Sequence, residues 1–134
     1  MTPTTRTDWQ PHPGELLLID LEPVRGTEQN GIRPALVVSD PDMNHLTRRV
    51  IICPITRNPH PWPTKVFLPA GLAVKGAVLV DQVRSIDRAA RILRSLGSAP
   101  DEVVAEVRGK LRTLLGLTFV RSDDLSSAST VKPE

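Results

Sequence analysis

No apolar run in this chain is longer than four residues. That brevity limits the fold more than any other feature. The runs are "LLLI" from Leu16, "ALVV" from Ala35, "VIIC" from Val50 and "AVLV" from Ala77, and each is bounded by glycine, proline, serine or a charged residue. A membrane-spanning helix needs about 20 apolar residues, so none of these can be one. Short apolar blocks between turn residues are what buried strands require. The 13 prolines and 8 glycines supply the interruptions. With two Trp, two Phe and no Tyr among 134 residues, the core must be built from Val, Leu, Ile and Ala. A chain of this length suggests one domain with a modest core, which association would help.

Residues 1–13 are polar with three prolines and read as a flexible arm. Strands are expected at 14–21, 33–40, 48–55, 64–69 and 77–83, with a sixth candidate in "ARILRSLG" at 90–97. "PDMNHLT" is a turn or one helical turn, and "TRNPHPWP" (56–63) has too many prolines for regular structure. The period then changes. Val103, Val104, Val107, Leu111, Leu114 and Leu115 recur at spacings of three and four, which is one apolar helix face. Ser98 or Ala99 precedes a Pro100 near the first helical position. Asp101 and Glu102 suit the start of the helix dipole, and Gly116 is a stop. Residues 118–134 contain "SSAST" and few apolar groups, so a disordered tail is expected. Short strands followed by one late helix predict a mainly β domain at 14–117, a small antiparallel sheet or barrel closed by a C-terminal α-helix.

The formal net charge is only +2, but its distribution is uneven. "RSIDRAARILR" (84–94) sets four arginines against one aspartate, which fits either a solvated face or an acidic partner. The single cysteine, Cys53, cannot form an intrachain disulfide and reads as a buried thiol in a reducing compartment. The N-terminal segment has no apolar core of a signal peptide, so a cytoplasmic location without membrane contact is expected.

One stretch is not generic. "RGTEQNGIRP" (25–34) connects the first two strands. It carries Glu28 and Gln29 between two glycines and ends with Arg33 fixed against Pro34. Together with "VIICPIT", "VLVDQVRSID" and "PDEVVAEVRGKLRTLLGL", in that order and at matching separations, it makes the region from Gly14 to Leu117 resemble the MazF/PemK toxins of bacterial toxin–antitoxin systems. The resemblance implies a small SH3-like barrel of the MazF/PemK–CcdB type that dimerises and is held inactive by a MazE-like antitoxin. It also implies a metal-independent endoribonuclease, with no cofactor, that cleaves single-stranded RNA at short sequences.

RNA carries its own nucleophile, the 2′-OH. An enzyme using it must remove that proton, stabilise added charge on the phosphoryl group and protonate the leaving 5′ oxygen. A histidine pair is the usual tool, but His12, His45 and His60 are scattered through arm, turn and proline-rich loop. Arg33 is the better candidate. The proline after it biases it to extended geometry, and its planar guanidinium can hold two phosphate oxygens at once. The resemblance pairs Arg33 with Thr56 as the principal catalytic residues. It implies that Glu28 accepts the 2′ proton or orients Arg33. Asp81 matches a strand aspartate that in some relatives accompanies a basic residue two positions earlier. Here that position is Leu79, which favours a structural role for Asp81. For RNA binding, Gln29 and Gln82 can read base edges, while Arg57, Lys65 and Arg84 can meet phosphates. Trp62 could stack a base or act as a packing lid. The rival functions are a non-enzymatic CcdB-like gyrase inhibitor and a catalytically inactive RNA-binding relative.

Overall fold

Three adjacent strands, β1 (Glu15–Asp20), β2 (Ile32–Val37) and β3 (Arg49–Thr56), form the spine of the sheet. The computed structural model describes residues 10–21 and 31–117. The other elements are α1 (Pro41–Leu46), β4 (Lys65–Phe67), β5 (Ala77–Leu79), a 3-10 turn (Val80–Gln82), β6 (Arg84–Asp87), α2 (Arg88–Arg91), β7 (Ile92–Ser98) and α3 (Asp101–Leu114). The strand order is β4-β5-β3-β2-β1-β7, with β6 also on β3, and every pairing is antiparallel.

The spine strands are apolar through their central residues because both faces of the sheet are covered there. Leu16, Leu36, Cys53 and Ile55 point to one side and share a core with Val103 and Val107 of α3. Leu17, Ile19, Ala35, Val37, Val50 and Ile52 point to the other, where they meet Ile86 of β6 and Ile92 of β7. β6 and β7 lie on opposite edges of the spine, so their joint presence in one cluster means that the sheet curls on itself. α2 carries the chain directly from one edge to the other. Register shifts between β1 and β7, after Leu16 and after Leu18, add local bend. Burying one such Ile or Leu contributes about 2 kcal/mol, and nine side chains of this size are fully covered: Leu16, Leu17, Ile19, Leu21, Leu36, Ile52, Ile55, Ile86 and Ile92.

The mainly β fold with a C-terminal helix is as expected, but four details differ. The strand expected over 77–83 stops at Leu79, and Val80–Gln82 form a 3-10 turn. "RSID" is itself a strand, β6, although Ile86 is its only buried residue. Its charges hid it, because β6 presents only one apolar side chain to the core. The apolar face of α3 is buried at Val103, Val104 and Val107, yet Leu114 and Leu115 are 48% and 63% exposed. The last turn of the helix projects beyond the core it covers. Its N-cap is Pro100, one residue later than expected, because Ser98 still belongs to β7 and the Ala99 amide donates to the Gly14 carbonyl.

The last residues of the expected arm are tied down. Pro11 is buried, and fully buried Asn44 donates to the Pro11 carbonyl at 2.8 Å and to the Ser39 carbonyl at 3.2 Å. The Ser39 hydroxyl donates to the Asn44 side-chain oxygen, and Arg88 donates to its backbone carbonyl. The remainder of the expected arm, and the tail from 118, lie outside the described residues. No helix among the described residues is long and apolar enough to cross a membrane.

Candidate active site

Arg33 and Thr56 are 23 positions apart in the sequence, and strand pairing brings them together. β2 pairs with β3 through Val37–Ile52, Leu36–Cys53 and Ala35–Pro54. The recorded pairs end at Ala35–Pro54, and the same register extended by two residues has Arg33 opposite Thr56. Directly opposed residues have Cβ atoms about 5 Å apart and point to the same face. Both residues stand where their strands give way to loops. β1 and β2 are joined by residues 21–31, and the Leu21 amide donates to the Gly31 carbonyl at 3.0 Å across the base of this connection. β3 runs directly into the proline-rich loop 57–63. Glu28 and Gln29 lie outside the described residues, although the chain returns from them to Arg33 within four residues of Gln29.

Thr56 is held firmly. Its side chain is 7% exposed, and its Oγ1 accepts the Asn58 amide at 3.1 Å. That contact engages one lone pair and leaves the hydroxyl proton to be donated elsewhere. On its other side Thr56 pairs with Ala77 of β5. The residue before Ala77 is Gly76, at φ +134°, where a Cβ would fall 2.2 Å from the Thr56 carbonyl oxygen. Only glycine lets the chain pass this close.

Alternation places further groups on the same side as Thr56. Arg84 opposes Ile52, and Ile52 and Thr56 share a face of β3. Lys65 opposes Leu79 and Phe67 opposes Ala77, which continue that face onto β4. Exposed Arg57 follows Thr56 directly. Arg33, Arg57 and Lys65 thus gather at the Thr56 end of the sheet, while Arg84 lies level with Ile52, about 13 Å along β3 from Thr56. Lys65, expected to meet phosphate, already donates to the Asn58 carbonyl at 3.1 Å and the His60 carbonyl at 2.6 Å. Trp62 is 59% exposed, so it is no packing lid.

Asp81 and Gln82 lie in the 3-10 turn rather than on a strand. This turn crosses the gap at Cys53 and Pro54, where β3 passes from pairing with β6 to pairing with β5. Asp81 is exposed, and its charge reaches the buried thiol beside it. Burial first, then the Asp81 carboxylate, push Cys53 up to about 12. A thiol so hard to ionise is a poor nucleophile. Cys53 should stay unlabelled by iodoacetamide at pH 8 in the folded protein and react fully in denaturant. Stoichiometric labelling of native protein, read by mass spectrometry, would contradict this placement.

The histidines are not gathered around Arg33. His12 contacts Glu15 and Ser98, at the far end of β1 from Ile19, the residue opposite Arg33. His45 pairs with Gln10. His60 sits in the loop, where its amide donates to the Asn58 side chain. Asp87, outside the site, caps α2. The Ala90 amide holds its carboxyl below the usual range, with help from Arg48 and Arg49. Sequence reasoning did not single out Gly76, whose signal is a glycine immediately before a short apolar strand.

The chain matches known proteins in sequence and fold. Residues 12–115 match the family described as PemK-like, MazF-like toxin of type II toxin–antitoxin system. The chain is 36% identical over 106 residues to Endoribonuclease PemK of Escherichia coli, covering 76% of this chain and 80% of that protein. It is similar to the crystal structure of MazF from Deinococcus radiodurans, with a TM-score of 0.77 and 45% identity over 82% of this chain and 100% of that one. A MazE–MazF complex from the same organism matches with a TM-score of 0.70 and 39% identity, covering 83% of this chain and 100% of that one. The chain belongs to the PemK-like, MazF-like toxin family of type II toxin–antitoxin systems.

Proposed function

We propose that this toxin is an endoribonuclease that cleaves single-stranded RNA through attack of the 2′-OH on the adjacent phosphate, without a metal or cofactor. The observation that supports the reading is the β2–β3 register, which runs to the Ala35–Pro54 pair and, extended by two residues, has Arg33 opposite Thr56. Arg33 binds the phosphate through two nitrogens and opposes the charge that grows on its oxygens. A guanidinium is a poor base, so the 2′ proton goes to another group, for which Glu28 is our candidate. As the 2′ oxygen bonds to phosphorus the bond to the 5′ oxygen breaks, and that oxygen takes a proton, for which Arg33 is our candidate donor. The Thr56 hydroxyl donates to a phosphate oxygen, its other side being fixed by the Asn58 amide. Arg57 and Arg84 meet flanking phosphates, and Gln29 and Gln82 read base edges. Asp81 serves as a structural group of the turn.

The toxin acts in the cytoplasm as a homodimer. Leu114, Leu115 and Leu117, all at least 48% exposed at the end of α3, give an apolar surface that a second copy would cover. A MazE-like antitoxin silences it by laying an acidic segment over the basic end of the sheet, where it competes with RNA.

Purified protein should cut a long single-stranded RNA in excess EDTA, leaving 2′,3′-cyclic phosphate and 5′-hydroxyl ends. Sequencing the 5′ ends should give a short common sequence. Gyrase-dependent DNA breaks without RNA cleavage would overturn the reading in favour of a gyrase inhibitor. RNA binding without cuts would overturn it in favour of an inactive relative.

A further inference from the structure

Loop 57–63 sits beside Thr56, and every residue in it is exposed. No buried side chain anchors it. A cleft of about 500 Å³, bordered by Pro63, Thr64, Gly109, Lys110 and Leu114, separates its end from α3. The described contacts that shape the loop are hydrogen bonds. Two of its carbonyls, those of Asn58 and His60, accept from one ammonium, Lys65 Nζ. From the opposite side Lys110 Nζ spans the cleft to the Pro63 carbonyl at 2.8 Å. Between these grips stands Trp62, 59% exposed, whose own carbonyl accepts the Lys65 amide. Three prolines narrow the loop's backbone choices, and the two lysines select among those left.

We propose that Lys65, with Lys110, is a positioning residue that fixes the shape of loop 57–63 so that Trp62 can stack on a base of bound RNA, and thereby sets which sequences are cut. The inference rests on the endoribonuclease reading. It gives Lys65 a role different from phosphate contact, and the two roles make separable predictions. A phosphate contact is blind to sequence. Its loss weakens all substrates alike and lowers the slope of log affinity against log salt by about one. A loop clamp acts on base recognition. Its loss compresses the preference for the best site over near-matches and leaves the salt slope unchanged.

The experiment compares wild type with Lys65→Met and Lys110→Met on a pool of RNAs, mapping 5′ ends and measuring kcat/KM against salt. Removing either grip should lower the preference for the best site about tenfold, the scale of one lost recognition contact, with the salt slope intact. Arg57→Met should lower the salt slope without changing the preference. Trp62 fluorescence, read without RNA in a Trp9→Phe background, should show faster acrylamide quenching in both lysine variants. A uniform loss with a lower salt slope for Lys65→Met would overturn the proposal in favour of phosphate contact. Unchanged preference in both variants would also overturn it. Should wild type cut no RNA, the endoribonuclease reading fails, and unchanged Trp62 quenching would then separately remove the clamp.

Discussion

Arg33→Ala should lower RNA cleavage by about a thousandfold or more, the scale on which removal of a preorganised transition-state donor is felt. Its thermal midpoint should stay close to wild type. The guanidinium opposes charge that grows only as the 2′ oxygen attacks, so the loss should fall on kcat more than on KM. Arg33 is half-buried at the second position of β2 and pairs with Ile19 through the backbone. Alanine keeps that ladder. Arg33→Lys retains one charge but loses the fork that grips two oxygens, so its rate should lie between wild type and alanine. Cleavage of a defined RNA at saturating enzyme, with circular dichroism melts of the same samples, checks both halves. Full activity in Arg33→Ala would remove Arg33 from the mechanism. A collapsed melting curve would mean that the side chain holds the fold instead.

Much of the architecture was readable from local pattern. Each four-residue apolar block put three or four of its residues into a strand, because so short a run between breakers suits a buried strand. Valines at helical spacing found the sheet side of α3. Patterns failed where a tertiary partner decides the outcome. β6 carries a single inward apolar residue, Ile86, and is a strand because β3 offers an open edge at Arg49–Ile52. The turn at Val80–Gln82 exists because β3 changes partners there, which no local pattern records. Leu114 and Leu115 obey the helical period but extend past the core they were expected to join.

The site divides in the same way. Chemical type and position before a proline single out Arg33, and the family resemblance adds Thr56, but whether the two oppose each other depends on a strand register that is invisible before the fold is known. Lys65 shows the converse. A basic residue near a site reads as a phosphate contact, yet two of its three ammonium donors go to carbonyls of the adjoining loop. Charge is a property of the residue, while its use depends on what the fold puts within reach.

Gly76→Ala should slow cleavage by about a hundredfold, although no atom of Gly76 need touch RNA. An alanine Cβ would lie 2.2 Å from the Thr56 carbonyl oxygen and 3.1 Å from its carbonyl carbon. Backbone cannot swing aside as a flexible side chain can, so β3 and β5 must separate at the Thr56–Ala77 pair. Thr56 then moves relative to Arg33, and misplacement by about 1 Å suffices for a loss of this size. The φ of +134° adds strain of about 1–3 kcal/mol for any L side chain, which lowers stability as well. Gly97 separates the two effects. Its φ is +119° but a Cβ there meets nothing within 4 Å, so Gly97→Ala carries strain without collision. The melting midpoint of Gly97→Ala should fall while its rate stays near wild type. Gly76→Ala should lose both, with the deficit in kcat persisting at temperatures where the variant is fully folded. Equal rates for the two variants under those conditions would show that the close approach of Gly76 does not hold Thr56 in place.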